Sequence, residues 1–157
     1  MKGRIIIAAL VAAVGLAITL PLAIGASGER SRALFAYMNG KKEVDADGKK
    51  NSGDLNSLGT FSATVTAGKL CYGLTVRGVD TPVAAHIHRG SSKVAGPVVI
   101  PLTQPADGDA GAIGACVDVD DKLLSELLKR PSRFYVNLHT SKFPNGSTRG
   151  QLTVQKR

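Results

Sequence analysis

The sequence predicts an all-β fold: an antiparallel sandwich of short strands with one short helix. Three observations carry that expectation. Apolar residues recur with period two in segments of five to seven residues, clusters of Gly, Pro, Asn and Asp separate those segments at short intervals, and a single stretch has helical spacing. At 157 residues the chain suits one domain, since domains run to roughly 150 residues. An apolar share of 43% excludes wholesale disorder, 18 Gly without a three-residue period exclude collagen, and two Cys are too few for a disulfide-dense miniprotein.

The first element is an export signal. Lys2 and Arg4 precede residues 5–24, which carry no charge; Pro21 then breaks the run, and Ala23, Gly25, Ala26 and Ser27 offer small residues for cleavage. That order predicts a signal peptide over residues 1–26, cut after Gly25 or Ala26. A run of roughly 20 apolar residues also spans a bilayer, so an uncleaved N-terminal anchor is the alternative. The signal lacks the Cys of a lipoprotein. Residues 27–33 read as a short linker and 34–157 as the working domain, which either reading places outside the cytoplasm: extracellular, at the cell surface or in the periplasm. With no second long apolar run, the membrane is met only through the N-terminal segment.

Within the domain, Phe61–Thr66 and Leu70–Val76 predict a hairpin closed by Ala67-Gly68-Lys69, with Leu70, Tyr72, Leu74 and Val76 on one face. Further strands are expected at 83–88, 98–102, 115–119, 134–139 and 150–154. Residues 120–129 are the helix: Asp120 or Asp121 caps it, Leu123, Leu124, Leu127 and Leu128 form its stripe, Lys129 and Arg130 suit its C-terminus, and Pro131 stops it.

Cys71 lies on the strand face opposite Leu70 and Tyr72, and Cys116 lies opposite Val117 and Val119. Two Cys on matching faces in an exported chain are read as one disulfide, worth roughly 3–5 kcal/mol in the chain-entropy model. No basic residue or His adjoins either Cys, so a reactive thiol finds no support.

The only histidines are His86, His88 and His139. His86 and His88 stand two apart on a strand and point to one face. In Phe134–His139, Phe134, Val136 and Leu138 are expected in the core, with Tyr135, Asn137 and His139 opposite. Two imidazoles from one strand and a third from a neighbour make a facial set for Cu or Zn with a position left open. The competing reading is structural: each imidazole hydrogen-bonds a carbonyl or a nearby hydroxyl such as that of Thr140 or Tyr135.

The formal charge is +8; losing residues 1–26 removes Lys2 and Arg4 and leaves 18 basic against 12 acidic residues, or +6. Outside a membrane, that sign favours an anionic cell-envelope polymer as partner, beside an unidentified extracellular protein. The basic residues are scattered without aromatic interleaving, so nucleic acid is not an expected partner.

Several ordered motifs also carry a resemblance. Ala84-Ala-His-Ile-His-Arg-Gly90, Gly96-Pro-Val-Val, Tyr135-Val-Asn-Leu-His-Thr140, Phe143-Pro144 and Arg149-Gly-Gln-Leu152 resemble the CHRD domain, a module named from chordin, over about Leu34 to Val154. Asn39-Gly40 with Glu43-Val44 fits its opening signature, although Asp45-Ala-Asp-Gly48 stands where prolines are usual. The resemblance implies an immunoglobulin-like or superoxide-dismutase-like β-sandwich and little chemistry, so a non-catalytic binding or structural module is expected. A Cu/Zn dismutase pairs a His-x-His with further histidines and an Arg near copper. Three histidines are too few for a bridged two-metal site, but a mononuclear centre near Arg149 fits the inventory.

Glu43, Asp45, Asp47, Asn51 and Asp54 occupy positions 1, 3, 5, 9 and 12 of a Ca²⁺ loop, with Gly48 at 6, and resemble dockerin loops as well. Position 1 is Glu rather than Asp, position 8 is Lys, and helical flanks are absent, which favours a solvated loop. No nucleophile elbow, phosphate loop or dinucleotide fingerprint occurs. Paired carboxylates such as Asp107/Asp109 and Asp118/Asp120 sit at turns or strand ends.

Overall fold

The structure, a computed structural model, describes residues 33–154. The signal or anchor read over residues 1–26, and the linker up to residue 32, lie outside the described residues. The strands are β1 (Ala33–Asn39), β2 (Leu58–Thr66), β3 (Lys69–Arg77), β4 (Pro82–Arg89), β5 (Val98–Leu102), β6 (Gly111–Asp118), β7 (Phe134–Thr140), β8 (Thr148–Gln151) and β9 (Thr153–Val154), with one helix, α1 (Asp121–Lys129). They form one antiparallel sheet in the order β5-β4-β7-β8-β1-β2-β3-β6, and β9 pairs with β1.

A single residue pair, Asn39 with Arg149, joins β8 to β1, so the sheet folds there into two halves. Period-two alternation sends Ala85, Ile87, Val136 and Leu138 inward from one half, and Leu34, Phe61, Leu70 and Leu74 inward from the other. Burying each such Leu or Phe side chain contributes roughly 1.5–3 kcal/mol. Leu124 and Leu127 of α1 join this core. The Tyr72 hydroxyl accepts from the Thr103 N–H at 2.7 Å, which ties β3 to the chain leaving edge strand β5. The result is the all-β sandwich with one short helix that the sequence predicts.

The β2–β3 hairpin turns at Gly68, whose φ of +70° suits a residue without Cβ. Asp120 caps α1 by accepting from the Lys122 and Leu123 N–H groups. Three differences from the sequence reading have local causes. Ala33–Asn39 is a strand that was not anticipated, although Leu34, Ala36 and Met38 all face the core. β6 begins at Gly111, four residues earlier than Ala115, through two glycines of low strand propensity. A Cβ at Gly111 would overlap the Asp107 carbonyl oxygen, so the entry to β6 tolerates no side chain. The last strand divides at Leu152, whose N–H donates to the Phe134 carbonyl, so β8 stays with β7 while β9 crosses to β1.

Cys71 and Cys116 stand opposite each other on β3 and β6 with Cα atoms 4.0 Å apart, and they form a disulfide.

Candidate metal centre

The same alternation that buries Ala85 and Ile87 turns His86 and His88 to the outer face of β4. On β7 it buries Val136 and Leu138 inward and turns Tyr135, Asn137 and His139 outward. The register sets His86 opposite Asn137 and His88 opposite Tyr135, with Ala84 opposite His139. A bulge gives β5 one extra residue, Val99, beside the Ile87–His88 step, and bulges locally re-aim side chains.

This outer face is not a solvated one. Tyr135 and Asn137 are each 2% exposed, and Arg149 and Glu43 are equally buried. Segments distant in sequence cover them. The loop around Gly96 lies against His88 and Tyr135, the loop around Pro144 lies against His139, and Glu43 reaches in from the β1–β2 connection. Gly96 fits because a Cβ there would overlap the Arg89 carbonyl oxygen.

The hydrogen bonds decide which ring nitrogens are free. His88 Nδ1 lies 2.8 Å from the Gly96 carbonyl oxygen, and His139 Nδ1 lies 2.8 Å from that of Pro144. A carbonyl only accepts, so in both rings Nδ1 carries the proton and Nε2 presents a lone pair. His88 Nε2 is buried and has no hydrogen-bond partner. His139 Nε2 lies 3.2 Å from His86 Nδ1 and 3.1 Å from Asn137 Oδ1; with Nε2 unprotonated, the Asn137 amide turns over so that its NH2 faces the ring. One nitrogen from each of the three rings lies within 4.8 Å of the others, the single such group of three potential ligands among the described residues.

All three imidazoles are held in the neutral form. Burial, then repulsion from His139 and His88, pushes the His86 pKa down to about 4. Burial also lowers His88 and His139, against the opposing pull of the Gly96 and Pro144 carbonyls. Neutral imidazole is the metal-ligating form. Ligands at 2.0–2.1 Å from a tetrahedral ion stand about 3.4 Å apart, so the His86–His139 pair already fits, and closing a pair at the 4.8 Å limit takes about 1.4 Å of ring movement.

Tyr135 stacks on His88 with ring centroids 4.8 Å apart, and the Arg149 guanidinium lies 3.3 Å from the Tyr135 ring centroid. Arg149 donates to the Ser91 and Val94 carbonyls, and Glu43 Oε1 is 3.9 Å away. The Arg anticipated near the histidines is therefore close to them, one ring removed. Burial raises the Glu43 carboxyl to about 7, with the Val44 N–H and Arg149 pulling the other way. Gly146, at φ +134°, packs against that carboxylate, and a Cβ there would overlap it. Gly146→Ala is expected to destabilise the domain by about 1–3 kcal/mol from backbone strain alone, measured by urea unfolding. A loss under about 0.5 kcal/mol would show that residue 146 takes a side chain without strain.

The calcium-loop residues do not gather. Glu43 turns inward to Arg149, Asp45 Oδ1 accepts from the Asp47 and Lys49 N–H groups, and Asp54 Oδ1 accepts from the Asn56 N–H. Asn51 stands at the Val44–Lys50 bridge with φ 60°. The hydroxyls named as imidazole partners are likewise replaced, by the carbonyls of Gly96 and Pro144. Glu43 as a partner of Arg149 was missed; the only local signal was a carboxylate beside Val44 in the opening motif.

A family model for the CHRD domain matches residues 34–152, most of the chain. The chain belongs to the CHRD family. No curated protein and no solved structure matches it. In this CHRD domain the matched segment contains both Cys and all three histidines.

Proposed function

We propose that this CHRD domain is a non-catalytic, extracytoplasmic module that binds one Cu or Zn ion through His86, His88 and His139. The observation that carries the reading is the pair of backbone carbonyls that fix the Nδ1–H tautomers of His88 and His139. They leave two Nε2 lone pairs beside His86, one of them buried without a partner. Metal-bound histidines characteristically donate their other N–H in this way. A fourth position, toward the half-buried His86 and His139, would take water or a donor from a partner.

Export is part of the same proposal. The uncharged N-terminal run is read as a signal or anchor, followed by a short linker and the domain from 34 to 157. The Cys71–Cys116 disulfide suits an oxidising compartment. No helix among the described residues is long and apolar enough to cross a membrane.

The test is titration of the full chain with Cu²⁺ and Zn²⁺, with elemental analysis, beside a His86→Ala/His88→Ala variant. One equivalent is expected in the parent and none in the variant. At a hundredfold excess over Kd, the ion should also stabilise the parent by about 2.7 kcal/mol. Equal binding by both proteins would reduce the histidines to scaffold.

A further inference from the structure

Next to β1 and β8 lies a concave site of about 400 Å³ with Arg149 in its lining. Its walls carry Lys41, Lys42 and Lys50 beside Arg149, and no carboxylate lines it. The size falls in the range of small-ligand pockets, roughly 300–1,000 Å³. Lys42 is held in place by donating from Nζ to the Tyr37 carbonyl at 2.6 Å.

Arg149 is 1% exposed, with Glu43 Oε1 3.9 Å from its Nη1, and it contributes charge to the wall from within the protein. Four cationic side chains with no carboxylate in the lining ask for an anion. One rim of the pocket is Tyr37, 70% exposed and 6.3 Å from the Phe35 ring on the same strand face. An exposed aromatic face beside fixed hydrogen-bonding groups suits the apolar face of a sugar ring.

We propose that this pocket binds an acidic sugar residue of an anionic glycan. Lys41, Lys42 and Lys50 take the carboxylate, the charge of Arg149 adds to theirs, and Tyr37 covers a sugar face. A bare inorganic anion uses the cations alone and has no need of Tyr37. The site is separate from the three histidines and stands or falls independently of metal binding.

The test is calorimetric titration of the full chain, in mild detergent, with oligogalacturonate of six residues. Maltohexaose, inorganic phosphate and an oligo-dT strand serve as comparisons. The expected result is binding of the acidic oligomer alone, weakened at least tenfold in Lys41→Gln/Lys42→Gln/Lys50→Gln and at least threefold in Tyr37→Ala. Both variants change exposed residues, and an unchanged melting temperature confirms that they fold. Absence of binding by the parent, or equal binding by the triple variant, overturns the proposal. So does phosphate or oligo-dT binding as tightly as the glycan, or a Tyr37→Ala variant with unchanged affinity.

Discussion

Arg149→Met is expected to destabilise the domain by about 3–5 kcal/mol at pH 8, the usual cost of removing one partner of a buried charge pair. Arg149 is almost completely buried, donates to two backbone carbonyls and lies over the Tyr135 ring. Met retains much of the volume but none of the donors or charge. The Glu43 carboxylate then stays buried with one backbone N–H donor, that of Val44. The loss should depend on pH in a defined direction. Glu43 has a folded pKa of about 7 against 4.5 for the free group, so between those values the folded state holds the proton more tightly. Stability therefore falls as pH rises from 4.5 to 7 and levels off above, by on the order of 3 kcal/mol in the parent. Without Arg149 the carboxyl rises further, so the falling limb extends past pH 7 and the deficit is larger at pH 8 than at pH 5. Glu43→Gln/Arg149→Met should recover part of the loss by removing the orphaned charge. Urea unfolding at both pH values decides it; an equal deficit at pH 5 and 8 would mean that Arg149 acts through packing alone.

Legibility in the sequence followed the range of the interactions. β3 was readable because Leu70, Tyr72, Leu74 and Val76 alternate within one segment, and α1 because Asp120, four leucines and Pro131 lie within twelve residues. The same rule brings His86 and His88 to one face and sets His139 beside them once β4 and β7 pair. What was not readable depends on distant segments. Nothing local distinguishes Tyr135 and Asn137 from residues on a solvated face; the loops around Gly96 and Pro144 bury them. Glu43 stood in a run of Asp, Gly and Lys typical of exposed loops. Its burial follows from Arg149, more than a hundred residues later, and from the space that Gly146 leaves. β1 was missed despite its alternation because Ala36 and Met38 give weaker apolar contrast than Leu or Val, and Tyr37 interrupts the pattern on the exposed face.

Breaking the disulfide should cost about 4 kcal/mol, comparable to losing Arg149 but by a different route. Cys71 and Cys116 are 45 residues apart in sequence, and closing a loop of that length restricts the unfolded chain by about this amount. The bond also tethers β6, an edge strand with a neighbour on one side only. Eight residue pairs and the exposed Lys69–Asp118 ion pair otherwise hold β6 to β3, and a surface ion pair adds at most about 1 kcal/mol. Thiol reduction, or Cys71→Ala/Cys116→Ala, is therefore expected to lower the melting temperature by roughly 15 °C. Hydrogen exchange should accelerate most at the amides of β6, while β4 and β7 keep their protection. Their histidines lie in the opposite half of the sheet, so metal binding by the reduced protein should persist wherever the domain remains folded. A melting shift below about 3 °C would show that strand pairing alone secures the edge. Uniform loss of protection across all strands would show instead that β6 unfolds only with the whole domain.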